Sequence, residues 1–348
     1  MLLMFSLSLA APPPPIVNGE TTQDYPQVVT LYSADSRGYG ANFCSGTLIH
    51  AKWVVTAAHC ADAFASNETD YGMTDHYALV GYDLDKSAGI TDSAGVKNWT
   101  THPSWDGQAS QYDIAMVELR SSITSIDPMP VNKTALRNAD VGNDYRYVGW
   151  GITSDNAQDS TKKRRADLPL YEYDAWLHYA YDPVDGQNVC SGDSGGAGLE
   201  ILSNGGFELQ VVNSFVWAIK GGNSPCSDGA TGGVRIDTYI HWIETFIDVY
   251  SWEEMYGGED TGTTDTGSGD ADTDTDTDTD TDADTDTDTG SGGASDAPFD
   301  DPATPDGVGE DYQTTGLGLC ATPTSGGASV ALIALALTAV HRRRGVPR

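Results

Sequence analysis

NVCSGDSGG, at residues 188–196, says more about this chain than any other part of its sequence. It places Ser194 after an aspartate and before two glycines, with a cysteine four residues upstream. Glycines let the backbone bend so that successive N–H groups point at one spot, where they can hold the oxyanion of a tetrahedral intermediate. The stretch therefore predicts a nucleophilic serine. Because a hydroxyl is a weak nucleophile, it needs a histidine base, which a carboxylate must orient.

Both further residues occur upstream. The histidine is His59, in WVVTAAHC at residues 53–60, and the carboxylate is Asp113, in YDIAMVEL at residues 112–119. Together with GDSGG, and in the order His, Asp, Ser, these motifs resemble the signatures of the chymotrypsin/trypsin family of serine proteases. Three shorter motifs agree with the resemblance: IVNG (16–19), FCSGTL (43–48) and GWG (149–151).

The resemblance covers residues 16–250 and implies an all-β fold. Its parts are two six-stranded antiparallel β-barrels of the trypsin-like type, a cleft between them and a C-terminal helix. Short apolar runs between turn residues are typical of such a fold, and the strand candidates are 27–32, 46–49, 53–56, 114–117 and 209–212. The helix is predicted from Asp237 as N-cap, with Ile240, Ile243 and Ile247 on one face. No helix is predicted before it.

The resemblance also implies catalytic roles. His59 would take the proton of Ser194 and return it to the leaving amine, while Asp113 would fix the imidazole tautomer. The N–H groups of Gly192 and Ser194 would form the oxyanion hole. Ser214 would bind Asp113 and open the strand that holds the substrate.

An activation step is implied as well. In the family, the mature chain begins at the isoleucine of the IVNG motif, and its new amino group pairs with the aspartate before the catalytic serine. Ile16 and Asp193 occupy these positions. We therefore expect the active chain to begin at Ile16.

Specificity is predicted from the family's primary pocket. An aspartate six residues before the catalytic serine selects Arg or Lys, but this chain has the neutral Asn188 there. A buried cationic side chain would lack its counter-charge. Val216 stands where a wall glycine is usual, and Phe215 replaces a tryptophan at the rim; the far wall, in residues 229–234, cannot be aligned from sequence. The pattern favours small or medium uncharged side chains at the cleavage site.

Four of the five cysteines match family positions. The resemblance implies the disulfides Cys44–Cys60, next to His59, and Cys190–Cys226, beside the primary pocket. Two disulfides indicate an oxidising compartment, whereas four free buried thiols are the alternative. Cys320 matches nothing in the family.

Charge limits the partners. The chain has 51 acidic residues against 18 Lys and Arg, a net charge of −33, which argues against nucleic acid as a partner. The resemblance implies peptide or protein substrates. No metal or cofactor is expected. The Asp-Thr run at 272–288 lacks the glycine-punctuated repeat of a formed calcium site, so only weak condensation of cations is expected there. The basic cluster KKRR, at residues 162–165, predicts a solvated surface loop that enters a strand; an exosite for acidic partners and a nick site are the alternatives.

The two ends of the chain predict export and attachment. Residues 1–11 are typical of a signal peptide and residues 12–15 of a short propeptide. Residues 251–318, rich in Asp, Thr and Gly, predict a disordered acidic linker. Residues 319–348 combine Cys320, a short apolar run and three arginines, and resemble the sorting tails of bacterial surface proteins, especially the myxobacterial type.

This tail implies a C-terminal sorting protease as a partner, with membrane contact through the tail alone; a plain tail anchor is the alternative. The sequence thus predicts a secreted, surface-tethered serine endopeptidase of a bacterial envelope. Two other functions stay open. One is a catalytically silent homologue that serves as a surface binding or adhesion module, and the other is an esterase with the same triad.

Overall fold

The computed structural model describes residues 16–108, 111–219 and 224–257. The predicted signal peptide, propeptide and sorting tail, and the predicted linker beyond residue 257, lie outside the described residues. Within these ranges, no helix has both the length and the apolar character needed to cross a membrane.

Seven strands belong to the N-terminal half: β1 (Glu20–Thr21), β2 (Val28–Ala34), β3 (Gly40–His50), β4 (Trp53–Thr56), β5 (Asp75–Gly81), β6 (Ile90–Thr101) and β7 (Ala115–Leu119). Six of them form a closed antiparallel barrel in the order β2-β3-β4-β7-β6-β5. Strand β6 shows the period of two that a half-buried strand requires, since Ile90, Ala94 and Val96 are buried while Thr91 and Lys97 are exposed.

The C-terminal half adds β8 (Asp144–Gly149), β9 (Arg164–Tyr173), β10 (Leu177–Ala180), β11 (Ala197–Ile201), β12 (Phe207–Ala218) and β13 (Gly229–Arg235). These pair in the order β9-β10-β13-β12-β11-β8, and β8 pairs back with β9, so the second sheet also closes. Strand β1 extends it at the edge of β9. The prediction of two six-stranded antiparallel barrels is confirmed.

Trp150, the middle residue of the GWG motif, joins the barrels. It follows β8 of the second barrel, is fully buried, and packs with Tyr32 and Leu79 of the first. Its indole Nε1 donates to the carbonyl of Val28 at 3.3 Å. The buried indole, with its N–H hydrogen-bonded, stabilises the packing of the second barrel against the first.

Helix α1 (Ala58–Tyr71) follows β4 directly, although the sequence pattern predicts no helix there. Its buried face consists largely of small residues such as Ala58 and Ala61, with Phe64 as the large one. The contrast between its faces is therefore weak, and a 3.6-residue period is hard to recognise. The helix ends at Gly72, which has the left-handed φ of 67° common after a helix.

The predicted C-terminal helix is present but short. A 3-10 turn, Asp237–Tyr239, leads into the single α-helical turn α2 (Ile240–Ile243), whose two isoleucines are buried. Asp237 is not an N-cap by its side chain, because its carboxylate binds Arg235 at 2.6 Å and Gln210 at 3.0 Å. The Asp237 carboxylate, which the local sequence offers as a helix cap, is thus bound to residues of the tertiary structure instead.

A further helix, α3 (Trp252–Tyr256), lies in the segment predicted to start the linker. Ser251 and Glu254 form a capping box, in which the Ser251 N–H donates to the Glu254 carboxylate at 2.7 Å. The indole of Trp252 lies so close to Gly206 that a Cβ there would collide with it. The described chain therefore continues, with defined structure, to Gly257.

The basic cluster at 162–165 leads into a strand as predicted, since β9 begins at Arg164, but the prediction that it is solvated is wrong for Lys163 and Arg164. Lys163 and Arg164 are 0% and 2% exposed. The Lys163 ammonium donates to the Tyr25 carbonyl at 2.9 Å, and burial lowers its pKa to about 7. Arg164 begins β9 and donates to the carbonyl of Gly151 at 2.7 Å. Backbone carbonyls of packed segments hold these two cations inside the domain.

Candidate active site

His59 and Asp113 lie side by side at the edge of the first barrel. His59 is in the first turn of α1, and Asp113 comes shortly before β7. The imidazole Nδ1 and the Asp113 Oδ2 are 2.7 Å apart, and the His59 backbone N–H donates to Oδ1 at 2.9 Å. Asp113 is fully buried and the His59 side chain is 9% exposed. Both the ring and the backbone of the histidine are therefore fixed by one carboxylate.

Ser214, in β12 of the second barrel, completes this arrangement. Its hydroxyl donates to Asp113 Oδ2 at 2.5 Å. Ser194 and Ser214 line the same small cavity. Because Ser214 binds Asp113, the loop that carries Ser194 lies next to the His59–Asp113 pair. The imidazole Nε2 is buried and has no hydrogen-bond partner within the described ranges. With Nδ1 donating to Asp113, Nε2 is the nitrogen left to accept a proton.

The loop that carries Ser194 is a tight turn built on glycines. Gly192 has a φ of 97° and Gly195 a φ of 76°, and a Cβ at Gly195 would overlap Thr56 and the Ser45 carbonyl. The Ser45 hydroxyl donates to the Gly192 carbonyl at 2.8 Å, which orients that peptide. Within the described chain, the N–H groups of Gly192 and Ser194 have no acceptor, whereas those of their neighbours Asp193, Gly195 and Gly196 are bonded.

Asp193 is the buried anchor of this loop. Its carboxylate accepts the N–H of Gly151 at 2.7 Å and that of Cys190 at 2.9 Å. Full burial raises the pKa of Asp193 to about 6, against the lowering effect of these bonds and of Arg164. A Cβ on Gly149 or Gly151 would collide with the carboxylate, so both glycines are needed for it to fit.

The N-terminal end of the described chain lies against this region. Ile16 is fully buried, and Val17 forms an antiparallel bridge with Asn188, whose N–H donates to the Val17 carbonyl at 3.1 Å. The Asn18 amide donates to the carbonyl of Gly186 at 2.9 Å. Ile16 has a φ of 46°, a strained conformation for a β-branched residue.

Both expected disulfides are formed. Cys44–Cys60 joins β3 to the first turn of α1, next to His59, with a Cα–Cα distance of 6.0 Å. Cys190–Cys226 joins the serine loop to the segment before β13, with a Cα–Cα distance of 5.1 Å. Each crosslink thus restrains a loop of the candidate site.

Asn188 does not offer a free polar group to a substrate. It is 2% exposed; its amide donates to the carbonyls of Pro225 at 3.0 Å and Cys226 at 3.3 Å, and its Oδ1 accepts the Val189 N–H at 3.0 Å. Its hydrogen-bonding groups are used to hold the walls of the pocket together.

The space beside Ser194 is nearly filled. Val216 in β12 and Thr231 in β13 are direct cross-strand partners and are 3% and 0% exposed. Cross-strand partners project from the same face of a sheet, so these two β-branched side chains are neighbours, and Val216 lines the cavity beside Ser194. The cavity that remains has a volume of about 10 Å³, room for about one water molecule. Phe215 lies at the rim, with its ring 5.8 Å from that of Trp217.

Two antiparallel barrels with this histidine, aspartate and serine arrangement define a serine endopeptidase. The family model described as Trypsin matches residues 16–243, and the chain belongs to that family. The chain is similar to chymotrypsin-like elastase family member 1 of Bos taurus, 31% identical over 271 residues that cover 67% of this chain and 95% of the relative. The Homo sapiens protein of the same name is 29% identical over 269 residues, covering 67% and 98%. Trypsin of Simulium vittatum is 27% identical over 217 residues, covering 60% and 82%.

The sequence-based predictions lack the contacts that three residues of the site region make. Thr231 is recognised only through its pairing with Val216, which needs the strand register. Asp155 binds the N–H groups of Cys226 at 3.0 Å and Ser227 at 3.2 Å, and no local motif marks it. Ser45 lies in the quoted FCSGTL motif, but its bond to the serine loop joins residues 147 positions apart.

Proposed function

We propose that Ser194, His59 and Asp113 hydrolyse peptide bonds through an acyl-enzyme. Asp113 holds the imidazole so that Nε2 accepts the Ser194 proton as the hydroxyl attacks the carbonyl carbon. The same proton then passes to the leaving amine, and water repeats the cycle to release the acid. The observation that carries this proposal is the buried Asp113 carboxylate, which accepts from both His59 Nδ1 and Ser214.

The oxyanion hole is proposed to consist of the Gly192 and Ser194 N–H groups. Their lack of an intramolecular acceptor in the described residues supports this role. A hole built from backbone groups needs no reorganisation when charge develops, and the loss of one such donor in a related site costs about 10²–10³-fold in kcat.

The substrate is proposed to carry a small uncharged side chain at the cleavage site, such as alanine. The cavity beside Ser194, with Val216 in its wall, has a volume of about 10 Å³, which an arginine or an aromatic ring cannot enter. Asn188 is neutral, and its amide is already bonded to two carbonyls.

Replacement of Val216 by glycine is expected to shift the preference toward larger side chains. The change opens the pocket wall without touching the His59–Asp113 pair. We expect kcat/KM for a phenylalanine substrate to rise about tenfold or more relative to the alanine substrate, since one or two apolar groups in a pocket are worth about 1–3 kcal/mol. The measurement is kcat/KM on matched peptides that differ only at the cleavage residue.

Asn188→Asp serves as the companion variant. It is expected to improve arginine and lysine substrates modestly, and most clearly in combination with Val216→Gly. A clear preference of the unsubstituted enzyme for arginine or lysine would contradict the proposed pocket.

We further propose that the protease is secreted and held at a bacterial cell surface by residues 319–348. The two disulfides support export to an oxidising compartment. The acidic spacer and the terminal cysteine, apolar run and arginines support attachment. A sorting protease would remove the segment after Cys320.

Truncation before Leu319 is expected to release soluble, active enzyme into the medium. Proteolytic activity in the medium and in the envelope fraction, compared with the full-length chain, provides the measurement. Mass spectrometry that finds Arg342, Arg343 and Arg344 on the mature surface protein would favour a plain tail anchor over a cleaved sorting tail.

A catalytically silent binding module and an esterase are the competing functions. Labelling of Ser194 by a fluorophosphonate separates an active site from a silent one. A matched pair of ester and amide substrates separates a protease from an esterase. Ester turnover without amide turnover would contradict the proposed peptidase.

A further inference from the structure

Gly151 is held at both of its backbone polar groups. Its N–H donates to the Asp193 carboxylate at 2.7 Å, and its carbonyl accepts from Arg164 Nη1 at 2.7 Å. The next residue is fixed too, because the Ile152 N–H donates to the Ser191 carbonyl at 2.9 Å. The position of the Asp193 carboxylate therefore depends on a segment that Arg164 binds.

The Arg164 side chain connects this segment to the surface. Its Nη2 is 3.2 Å from Asp159, whose side chain is 41% exposed, while the Arg164 side chain is only 3% exposed. The Asp159 carboxylate also accepts the Thr153 N–H at 3.1 Å. A chain of bonds thus runs from Asp159 through Arg164 and Gly151 to the buried Asp193.

The charges around Arg164 are mostly negative. Asp159, Asp193, Asp83 and Asp85 all favour its cationic form, whereas burial lowers its pKa. Arg164 in turn lowers the pKa of Asp193, whereas the charge of Asp159 raises the pKa of Asp193. Arg164 is thus a cation inside the folded domain that favours the ionised form of the buried Asp193.

We propose that Arg164 is a positioning residue for the oxyanion hole. Its guanidinium fixes Gly151 and favours the carboxylate form of Asp193, and Asp193 in turn holds the turn that presents the Gly192 N–H. This inference rests on the proposed function, since it needs the Gly192 and Ser194 amides to bind the oxyanion. A planar guanidinium bonds to Gly151 and Asp159 at once, which the single ammonium of lysine does less well.

The test compares Arg164→Gln and Arg164→Lys with the control Arg165→Gln. Arg165 is the next residue and binds Glu20 at the edge of β9. Active sites are counted with a fluorophosphonate, and kcat per labelled site and KM are measured on an alanine peptide from pH 5 to pH 9. Thermal melting reports stability separately, so a merely structural role would alter the melting temperature and the labelled fraction but not kcat per site.

Arg164→Gln is expected to lower kcat per labelled site about tenfold, with KM nearly unchanged, because a displaced oxyanion donor acts on the transition state. The acid limb of the kcat profile should move to higher pH, since Asp193 loses a cation that opposes its protonation. The freed amino group of Ile16 and the His59 imidazole are present in all variants, so a shift of the acid limb between variants reports on Asp193. Arg164→Lys should keep the acid limb and lose only part of kcat, and Arg165→Gln should change neither.

An unchanged kcat per site and an unmoved acid limb in Arg164→Gln would overturn the inference. If that variant does not fold, Arg164→Lys provides the test. A kcat per labelled site equal to that of the unsubstituted enzyme would then overturn the inference. The absence of labelling and turnover in the unsubstituted enzyme would instead overturn the proposed function, and this inference with it.

Discussion

Replacement of Ser194 by alanine is expected to lower kcat/KM for peptide hydrolysis by about 10³-fold or more. The variant removes the proposed nucleophile and leaves the His59–Asp113 pair and the backbone N–H groups in place. Labelling by a fluorophosphonate should disappear at the same time. Steady-state kinetics on an alanine peptide and mass spectrometry of the labelled enzyme provide the two measurements.

The fold should survive this change. Ser194 is 4% exposed, and its side chain forms no hydrogen bond within the described residues. Secretion and melting temperature are therefore expected to stay close to normal. Ser66→Ala, on the exposed face of α1, is the matched serine control and should retain full activity. Near-normal hydrolysis by the Ser194 variant would rule out the proposed nucleophile.

Release of the Ile16 amino group is expected to raise activity by about 100-fold or more. Burial raises the pKa of Asp193 from 3.8 to about 6. Because its pKa is raised on folding, ionisation of Asp193 lowers the stability of the fold. The loss begins as the pH rises above 3.8 and reaches about 3 kcal/mol above pH 6. An ammonium group beside it would offset this cost and hold the oxyanion loop in shape. Cleavage before Ile16 would also remove the strain of its left-handed φ.

The activating protease is predicted to differ from trypsin, because Pro15 precedes Ile16. A dipeptidyl peptidase that removes residues 12–13 and then 14–15 would expose the new amino group. Edman sequencing of active enzyme should therefore read from Ile16, and trypsin should not activate the precursor at this junction. Ile16→Val is the conservative control and should remain activatable. Fully active enzyme that begins at Ala11 or Pro12 would refute this model of activation.

The barrel fold could be predicted because its signals are local or ordered along the chain. Runs such as 53–56 and 114–117 are apolar and bounded by turn residues, and the structure has strands at 53–56 and 115–119. The boundaries and types of helices were harder to predict. Helix α1 has little amphipathic contrast, and α3 depends on contacts such as that of Trp252 with Gly206.

The basic cluster at 162–165 shows why a prediction from local sequence composition can fail. Four consecutive cations indicate a solvated segment by composition alone. Two of them, Lys163 and Arg164, are buried instead. The burial of Lys163 depends on a carbonyl distant in the chain, since it binds Tyr25 across 138 positions. No pattern within the cluster encodes that partner.

The sequence by itself determined the family, the order of the three motifs and the residue types that the chemistry requires, because each motif is a short run whose backbone and side chains act locally. Only the tertiary structure decided the size of the pocket and the support of the oxyanion loop. Val216, which lines the cavity beside Ser194, lies opposite Thr231 because antiparallel pairing of β12 with β13 sets this register. Arg164 meets Gly151 because barrel closure brings the start of β9 to the end of β8. Such contacts depend on strand register and closure, which are properties of the packed chain as a whole.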